Sequence, residues 1–467
     1  MKSHGWLVWL AVLVLTVSAG SQTHDPIAPA TGGKLVREAE QQQESAVADP
    51  AEEQPVSGVK PIRLETPRIA NKYVTINLQA SQLVDNTYAF NTTEAGWQPM
   101  TVLSGKLDLH RTGRNTGTDI VYYGGATIFN TNSQYTSSFH ELNVEQRFVT
   151  RHWQFLVGNN FSFFPESPFG NTAFGLPSGQ GLSFMEGMNV LASLHPGLPT
   201  SELMVTDYGP RYSDTTLGQI EYLLTPRTSF TVSGAYGVLR FLNSSIQNSD
   251  MASVSVGMSH RLSKLDEIGV NYTEGRMMFG MTSQKLVTRA VSLSYLHYVN
   301  SRFLVELMAG PQANHYHDAL MNSSRDLFLN AGARVQYRFK RSDVSLQYSR
   351  LVTSGSGILP GAATQVVFAD LTAQVTRKTS LSLGGGYSRN SALSNSIVAG
   401  DVTGSFNSAL AAASVSRTVG RSLDYFARYS LQQQIAPGCS QAGCGAHTRQ
   451  HTIEFGFNYH MRPMRVR

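Results

Sequence analysis

Over residues 327–339 the odd positions are Leu327, Leu329, Ala331, Ala333, Val335, Tyr337 and Phe339, and the even ones Phe328, Asn330, Gly332, Arg334, Gln336 and Arg338. In a β-strand two such sets project from opposite faces. The same period returns downstream. Val344, Leu346 and Tyr348 stand against Ser345, Gln347 and Ser349; Val367, Ala369, Leu371, Ala373 and Val375 against Phe368, Asp370, Thr372, Gln374 and Thr376. Near the C-terminus Leu423, Tyr425, Ala427, Tyr429 and Leu431 oppose Asp424, Phe426, Arg428 and Ser430, and His451, Ile453, Phe455, Phe457 and Tyr459 oppose Thr452, Glu454, Gly456 and Asn458. No helix keeps a period of two. The elements predicted are strands, and they are long.

Length decides between kinds of β protein. Strands of globular proteins average about five or six residues, whereas a strand tilted through a bilayer needs about 9–11. Most of these segments alternate for about nine or more, which matches the membrane value. The connections carry a second regularity. Short polar turns at 225–227, 263–265, 300–302, 340–342, 377–379 and 419–421 recur at intervals of 38, 37, 40, 37 and 42 residues, and each contains Lys or Arg. Longer polar stretches at 243–250, 275–285, 311–325, 353–364, 390–407 and 432–448 read as the loops at the other end. Short turns at one end and long loops at the other are the asymmetry of a transmembrane barrel. A propeller has a similar period but needs four short strands per blade, where this chain offers two long ones.

Composition agrees. Charged residues make up 15% of the 467, hydrophobic residues 41% and aromatics 10%, with 41 glycines. That is too aromatic and too weakly charged for a disordered chain. No segment outside the N-terminus approaches the about 18 apolar residues of a membrane helix. Lys2 and His4 precede an apolar run over residues 7–19 that ends Val17-Ser18-Ala19 before Gly20. We read residues 1–19 as a secretory signal peptide. Its removal takes one lysine from 37 Lys and Arg against 32 Asp and Glu, leaving +4, which gives nucleic acid no electrostatic footprint. Residues 20–71 hold Gln41-Gln42-Gln43, scattered Pro and the acids Glu38, Glu40, Glu44, Asp49, Glu52 and Glu53, with no apolar period. They read as a disordered periplasmic tail or linker, and as the candidate segment for a periplasmic partner.

A signal peptide, a disordered lead segment, hairpins with basic short turns and a terminal amphipathic strand resemble those of bacterial outer-membrane β-barrel proteins of the porin kind. The resemblance covers residues 72–460 and is one of pattern. It implies an all-β fold, a transmembrane antiparallel β-barrel over residues 72–467, in the outer membrane, in contact with lipid and lipopolysaccharide and inserted by the barrel assembly machinery. Such barrels end on an aromatic residue; here Met461-Arg462-Pro463-Met464-Arg465-Val466-Arg467 follow Phe457 and Tyr459. At about 20 residues per strand with its connection, the chain yields about 16 strands, within 14–18. Residues 164–214, rich in Pro and Gly, are expected to contribute none.

Closure follows from the solvent. In lipid an open sheet edge would leave backbone groups unpaired at several kcal/mol each. The apolar set then faces lipid and the polar set a lumen. Tyr and Phe at segment ends, among them Phe161, Phe163, Tyr236, Tyr295, Tyr387 and Tyr429, would form interfacial girdles. The polar set supplies the pore-lining candidates Glu306, Asn330, Arg334, Arg338, Asp370, Asp424, Arg428 and Glu454. Facing rows of opposite charge select permeants by size and charge; they equally form a salt-bridge network that stiffens the wall. Cys439 and Cys444, flanked by glycines, are expected as a loop-stapling disulfide in an oxidising compartment, with a metal site including His447 as the rival reading. His315 and His317 sit in an expected loop and read as solvated side chains rather than ligands. We expect no metal and no cofactor. Nothing marks an enzyme: no Gly-x-Ser-x-Gly elbow or Walker loop is present, and His140-Glu141 lacks the second histidine of a zincin. The function expected is a diffusion channel for small polar solutes. The alternative is a non-conducting or partner-gated barrel linked to surface polysaccharide export or adhesion.

Overall fold

The structure is a computed structural model describing residues 72–86, 97–130, 136–164, 211–242, 248–280, 284–317, 323–353, 361–393, 405–435 and 447–465. The expected signal peptide, the tail, Cys439 and Cys444 and most of the Pro-Gly-rich stretch lie outside these residues. The strands are β1 Lys72–Asp85, β2 Gln98–Thr112, β3 Thr116–Phe129, β4 Thr136–Val149, β5 Trp153–Phe164, β6 Arg211–Thr225, β7 Thr228–Phe241, β8 Ser249–Arg261 and β9 Asp266–Phe279. There follow β10 Gln284–Asn300, β11 Phe303–His317, β12 Ser323–Arg338, β13 Ser342–Thr353, β14 Ala362–Thr376, β15 Thr379–Ala392, β16 Ser405–Val419, β17 Leu423–Ile435, β18 His447–His460 and β19 Met464–Arg465.

From β1 to β18 each strand pairs antiparallel with the next, and β18 returns to pair with β1 from Asn77↔His460 to Asp85↔Thr452. The sheet therefore has no free edge between its first and last long strands, as a bilayer requires. β19, two residues long, continues that seam on β1 through Tyr73↔Arg465 and Val74↔Met464. The C-terminal extension beyond the last long strand is thus partly absorbed into the wall.

Among the described residues there are eighteen long strands, against about sixteen expected and at the upper end of the expected 14–18. Two short turns that the downstream pattern did not reveal lie at residues 113–115 and 150–152, closed by Gly113 N–H donating to the Thr116 carbonyl at 2.7 Å and Thr150 N–H to that of Trp153 at 2.7 Å. Both contain an arginine, Arg114 and Arg151, like the six turns legible downstream. Eight short turns join sixteen strands, and β1 and β18 complete the ring. The strands, 12 to 17 residues long, also run further into the expected loops than alternation suggested. Residues 275–279 finish β9, 311–317 finish β11, 323–325 open β12, and 211–214 open β6.

The two faces have opposite chemistry. On β7, Phe230, Val232 and Tyr236 are exposed while Ser229, Thr231 and Ser233 are buried; on β18, Ile453, Phe455, Phe457 and Tyr459 are exposed while Thr452, Glu454 and Asn458 are buried. A soluble barrel would show the reverse. Aromatics gather toward the short-turn end of the exposed face, where Trp153 packs tilted against Tyr222 with ring centroids 4.5 Å apart and Tyr337 meets Phe339 edge-on at 4.4 Å. Toward the other end, the Tyr122 hydroxyl bonds His140 Nδ1 and that of Tyr429 bonds His451 Nδ1, each at 2.8 Å. Apolar outside, polar inside, with aromatics at both rims, is the layering of an outer-membrane barrel.

Candidate luminal site

The inner face carries its charges in groups fixed by strand register. Arg428 of β17 lies directly opposite Glu454 of β18. Its Nη1 donates to Glu454 Oε2 at 3.0 Å, while Ser81 Oγ and Gln79 Nε2, from β1 across the closing seam, donate to Oε1 at 2.8 and 3.2 Å. The pair is nearly out of solvent, 10% and 5% exposed. Asp424 stands apart, nearer the short-turn end, where His460 Nε2 contacts its Oδ2 at 2.6 Å and His460 Nδ1 contacts Asn77 Oδ1 at 2.8 Å.

A second group spans β11 to β14. Arg334 Nη2 donates to Gln336 Oε1 at 3.2 Å, Gln336 Nε2 donates to Asp343 Oδ2 at 3.1 Å, and Arg338 Nε donates to the same oxygen at 3.2 Å. Glu306 is the register partner of Arg334. Ser345 donates to Asp370 across β13 and β14. Asn330 is buried, and its Oδ1 accepts no hydrogen bond. The structure therefore gathers Glu306, Arg334, Arg338 and Asp370 on one stretch of wall and Arg428 and Glu454 on another. It leaves Asn330 and Asp424 apart from both.

The first nine strands add charges that the sequence reading missed. Lys106 Nζ meets Asp108 Oδ1 at 3.0 Å on β2, Arg147 Nη2 donates to Glu145 Oε1 at 2.8 Å on β4, and Glu141, Glu221 and Glu267 are buried. The signal was available on β2, where Leu103, Leu107 and Leu109 alternate with Ser104, Lys106 and Asp108. Away from the short turns the inner face changes character. Ala235, Met251, Met277, Phe279, Leu286, Tyr316 and Val352 form one apolar cluster, with Phe328 against it. Leu83, Met100, Val102, Tyr123 and Phe139 form another. Tyr316 lies in this inner cluster between His315 and His317, so the expected loop histidines belong to a strand.

Gly361, just before β14, packs into the first cluster with φ at +86°. A Cβ there would stand 3.1 Å from Leu286 Cδ2 and 3.2 Å from Leu393 Cδ1. Left-handed backbone and a tight cradle act together, so Gly361→Ala should cost about 1–3 kcal/mol. A lowered urea midpoint for the barrel in lipid vesicles, relative to the parent chain, checks it.

No protein-family model matches the chain, and no curated protein matches it in sequence. Among solved structures it is similar to OccK2 (OpdF) of Pseudomonas aeruginosa, 10% identical over 84% of this chain and 97% of that one, with a TM-score of 0.44. A second OccK2 structure, in complex with glucuronate, is 12% identical over 84% and 98%, at 0.43. The outer membrane protein OpdK of the same organism is 8% identical over 83% and 99%, at 0.42. Superpositions this loose carry no weight for fold or function, which rest on the strand pairing and the two faces above.

Proposed function

We propose that the chain is an outer-membrane channel for small polar solutes, with a passage narrow enough to select among them. The carrying observation is the inverted wall, in which ionic and amide side chains line the inside of a closed ring whose outside is apolar. Rings of about 16–18 strands enclose an aqueous channel when nothing fills them. Here, though, Gln312 and Gln434 on the inner face are 0% exposed. The wall is therefore packed against other groups, which argues for a constricted passage. In this reading the short turns face the periplasm, the apolar band contacts outer-membrane lipid and lipopolysaccharide, and the barrel assembly machinery inserts the chain. The tail at residues 20–71 is then the segment offered to a periplasmic partner. Glu306, Asn330, Arg334, Arg338, Asp370, Asp424, Arg428 and Glu454 are the residues a solute would pass.

Single-channel recording in a planar bilayer tests the proposal, and stable, reproducible steps are the expected result. Replacing both Arg334 and Arg338 by Gln removes two cations from one stretch of wall. The reversal potential in a salt gradient should move toward cation preference. Insertion without conductance sinks the open-channel reading.

A further inference from the structure

Toward the long-loop end the outward face of β9–β12 stops being apolar. On β9, Ile268, Val270 and Tyr272 are exposed outward residues, and the next positions of that parity are Glu274 and Arg276. On β10, Leu293 and Val291 lead in the same way to Arg289 and Lys285. β11 ends with His315 and His317 on the outward parity, and Arg325 lies near the start of β12. Strand register draws these residues together. Arg289 faces Glu274, and one row crosses the four strands through Arg276, Val287, His315 and Arg325. Lys285 faces His317 one step further out. At about 4.8 Å per strand, the row spans about 14 Å from Arg276 to Arg325.

Among the described residues of these four strands, the basic side chains of outward parity at this end face a single acid of that parity. Asp250, the outward acid of β8, is held by Arg240, and Asp326 has the inward parity. Glu274 is shared loosely between two arginines, with Arg276 Nη2 3.5 Å from its Oε1 and Arg289 Nε 3.4 Å from its Oε2. Both guanidiniums stay more than half exposed, at 59% and 53%. Each keeps donors to spare, since a guanidinium carries five. Depth in the membrane fixes what surrounds them. Asp266 and His297, in contact at 2.7 Å near the short turns, are register partners, and Glu274 and Arg289 are the partners eight residues further along. Eight residues make about 27 Å of strand, or about 20 Å of height at a barrel strand's tilt, against an apolar band about 25 Å tall. The arginines therefore stand within a side chain's length of the far hydrocarbon edge, where long basic side chains extend into the headgroups. Directly beneath them the wall is bare and apolar, with Leu293 67% exposed.

We propose that this face docks one lipopolysaccharide molecule of the outer leaflet, with Arg276 and Arg289 on one lipid A phosphate and Arg325 on the other. Its acyl chains lie on Val291, Leu293 and Leu329. Lipid A carries a phosphate at each end of a disaccharide, so it presents two anionic points to a row with cations at both ends. A phospholipid presents one. Arginine suits the task, because its fork binds a phosphate through two parallel hydrogen bonds. Glu274 holds Arg276 and Arg289 side by side, so that the two converge on one phosphate. The site deepens the outer-membrane reading and rests on it, and it is independent of whether the lumen conducts.

The test is native mass spectrometry of the full chain, extracted folded from the outer membrane, with diphosphoryl lipid A as the probe. One tightly bound lipid A per barrel is the expected result, with phosphatidylglycerol bound at least about tenfold more weakly. The triple variant Arg276→Gln, Arg289→Gln and Arg325→Gln should lose at least about tenfold in affinity for lipid A. Arg227→Gln, Arg302→Gln and Arg377→Gln together remove the same charge from three short turns, and that variant should bind as the parent does. Equal losses in the two triples, or equal affinity for phosphatidylglycerol, overturn the site, since either reduces it to general attraction between cations and anionic lipid. Displacement of lipid A by millimolar inorganic phosphate overturns it too, because the face would then recognise an anion and not a glycolipid. A second measurement needs no variant. Lipopolysaccharide carried through purification should amount to about one molecule per parent barrel after detergent washing, and none retained disproves the site. Conductance without lipid A binding disproves the site alone, whereas binding without conductance supports the site and disproves the open channel. A chain absent from the outer membrane disproves both.

Discussion

Arg428→Ala will cost about 3–5 kcal/mol of barrel stability, because it leaves Glu454 ionised and buried with only neutral donors. The carboxylate sits where β17, β18 and β1 meet, so its environment is part of the closure itself. Gln79 and Ser81 satisfy one oxygen and Arg428 the other. Deleting the guanidinium removes the charge that offsets desolvation and one strong hydrogen bond. The double variant Arg428→Met with Glu454→Leu should recover most of the loss, since an apolar pair of similar volume commonly replaces a buried ion pair without penalty. Urea unfolding in lipid vesicles measures both. If Arg428→Ala shifts the free energy by less than about 1 kcal/mol, the level of an exposed pair, Glu454 is hydrated and the inner wall is wetter than its burial indicates.

Gly456→Ala should have the second large effect, at the same seam but through sterics. A Cβ on Gly456 would stand 2.4 Å from the Ala80 carbonyl oxygen, 2.6 Å from Ser81 Cβ and 2.8 Å from Ser81 Cα. Two of those three atoms are backbone, so β1 itself must shift. Overpacking alone costs about 1–3 kcal/mol. A shift that parts the β1–β18 ladder adds unpaired groups in lipid at several kcal/mol each. The folded band on an unheated gel should weaken or disappear. Gly218→Ala on β6, where a Cβ would meet nothing within 4 Å, should leave that band unchanged. Equal behaviour of the two variants would mean that the seam accommodates a methyl group.

The architecture was legible because two solvents act on alternate residues. Lipid demands apolar side chains at every second position of β12 and β18, and the inside admits polar ones. Strand number was less legible. In β3 the run Tyr122-Tyr123-Gly124-Gly125 blurs the alternation, and turns such as Gly113-Arg114-Asn115 carry too few residues to stand out without their partners. Arg428 and Glu454 were legible as inward residues. Their contact was not, because it depends on a register that no local pattern records. The inner apolar cluster was hidden for a different reason. Met277, Phe279 and Tyr316 break the rule of polar residues inside, so they read as loop rather than strand.

Tyr73 and Arg465 are ladder partners, which puts the two ends of the described barrel within about 5.5 Å of each other. The order of strands round the ring is then independent of where the chain is cut. A circularly permuted gene that splices residue 465 to residue 72 by a short linker, and begins instead at the short turn after Val419, encodes the same set of neighbours. In that permutant the β1–β18 pairing becomes a hairpin and the β16–β17 pairing becomes the last to close.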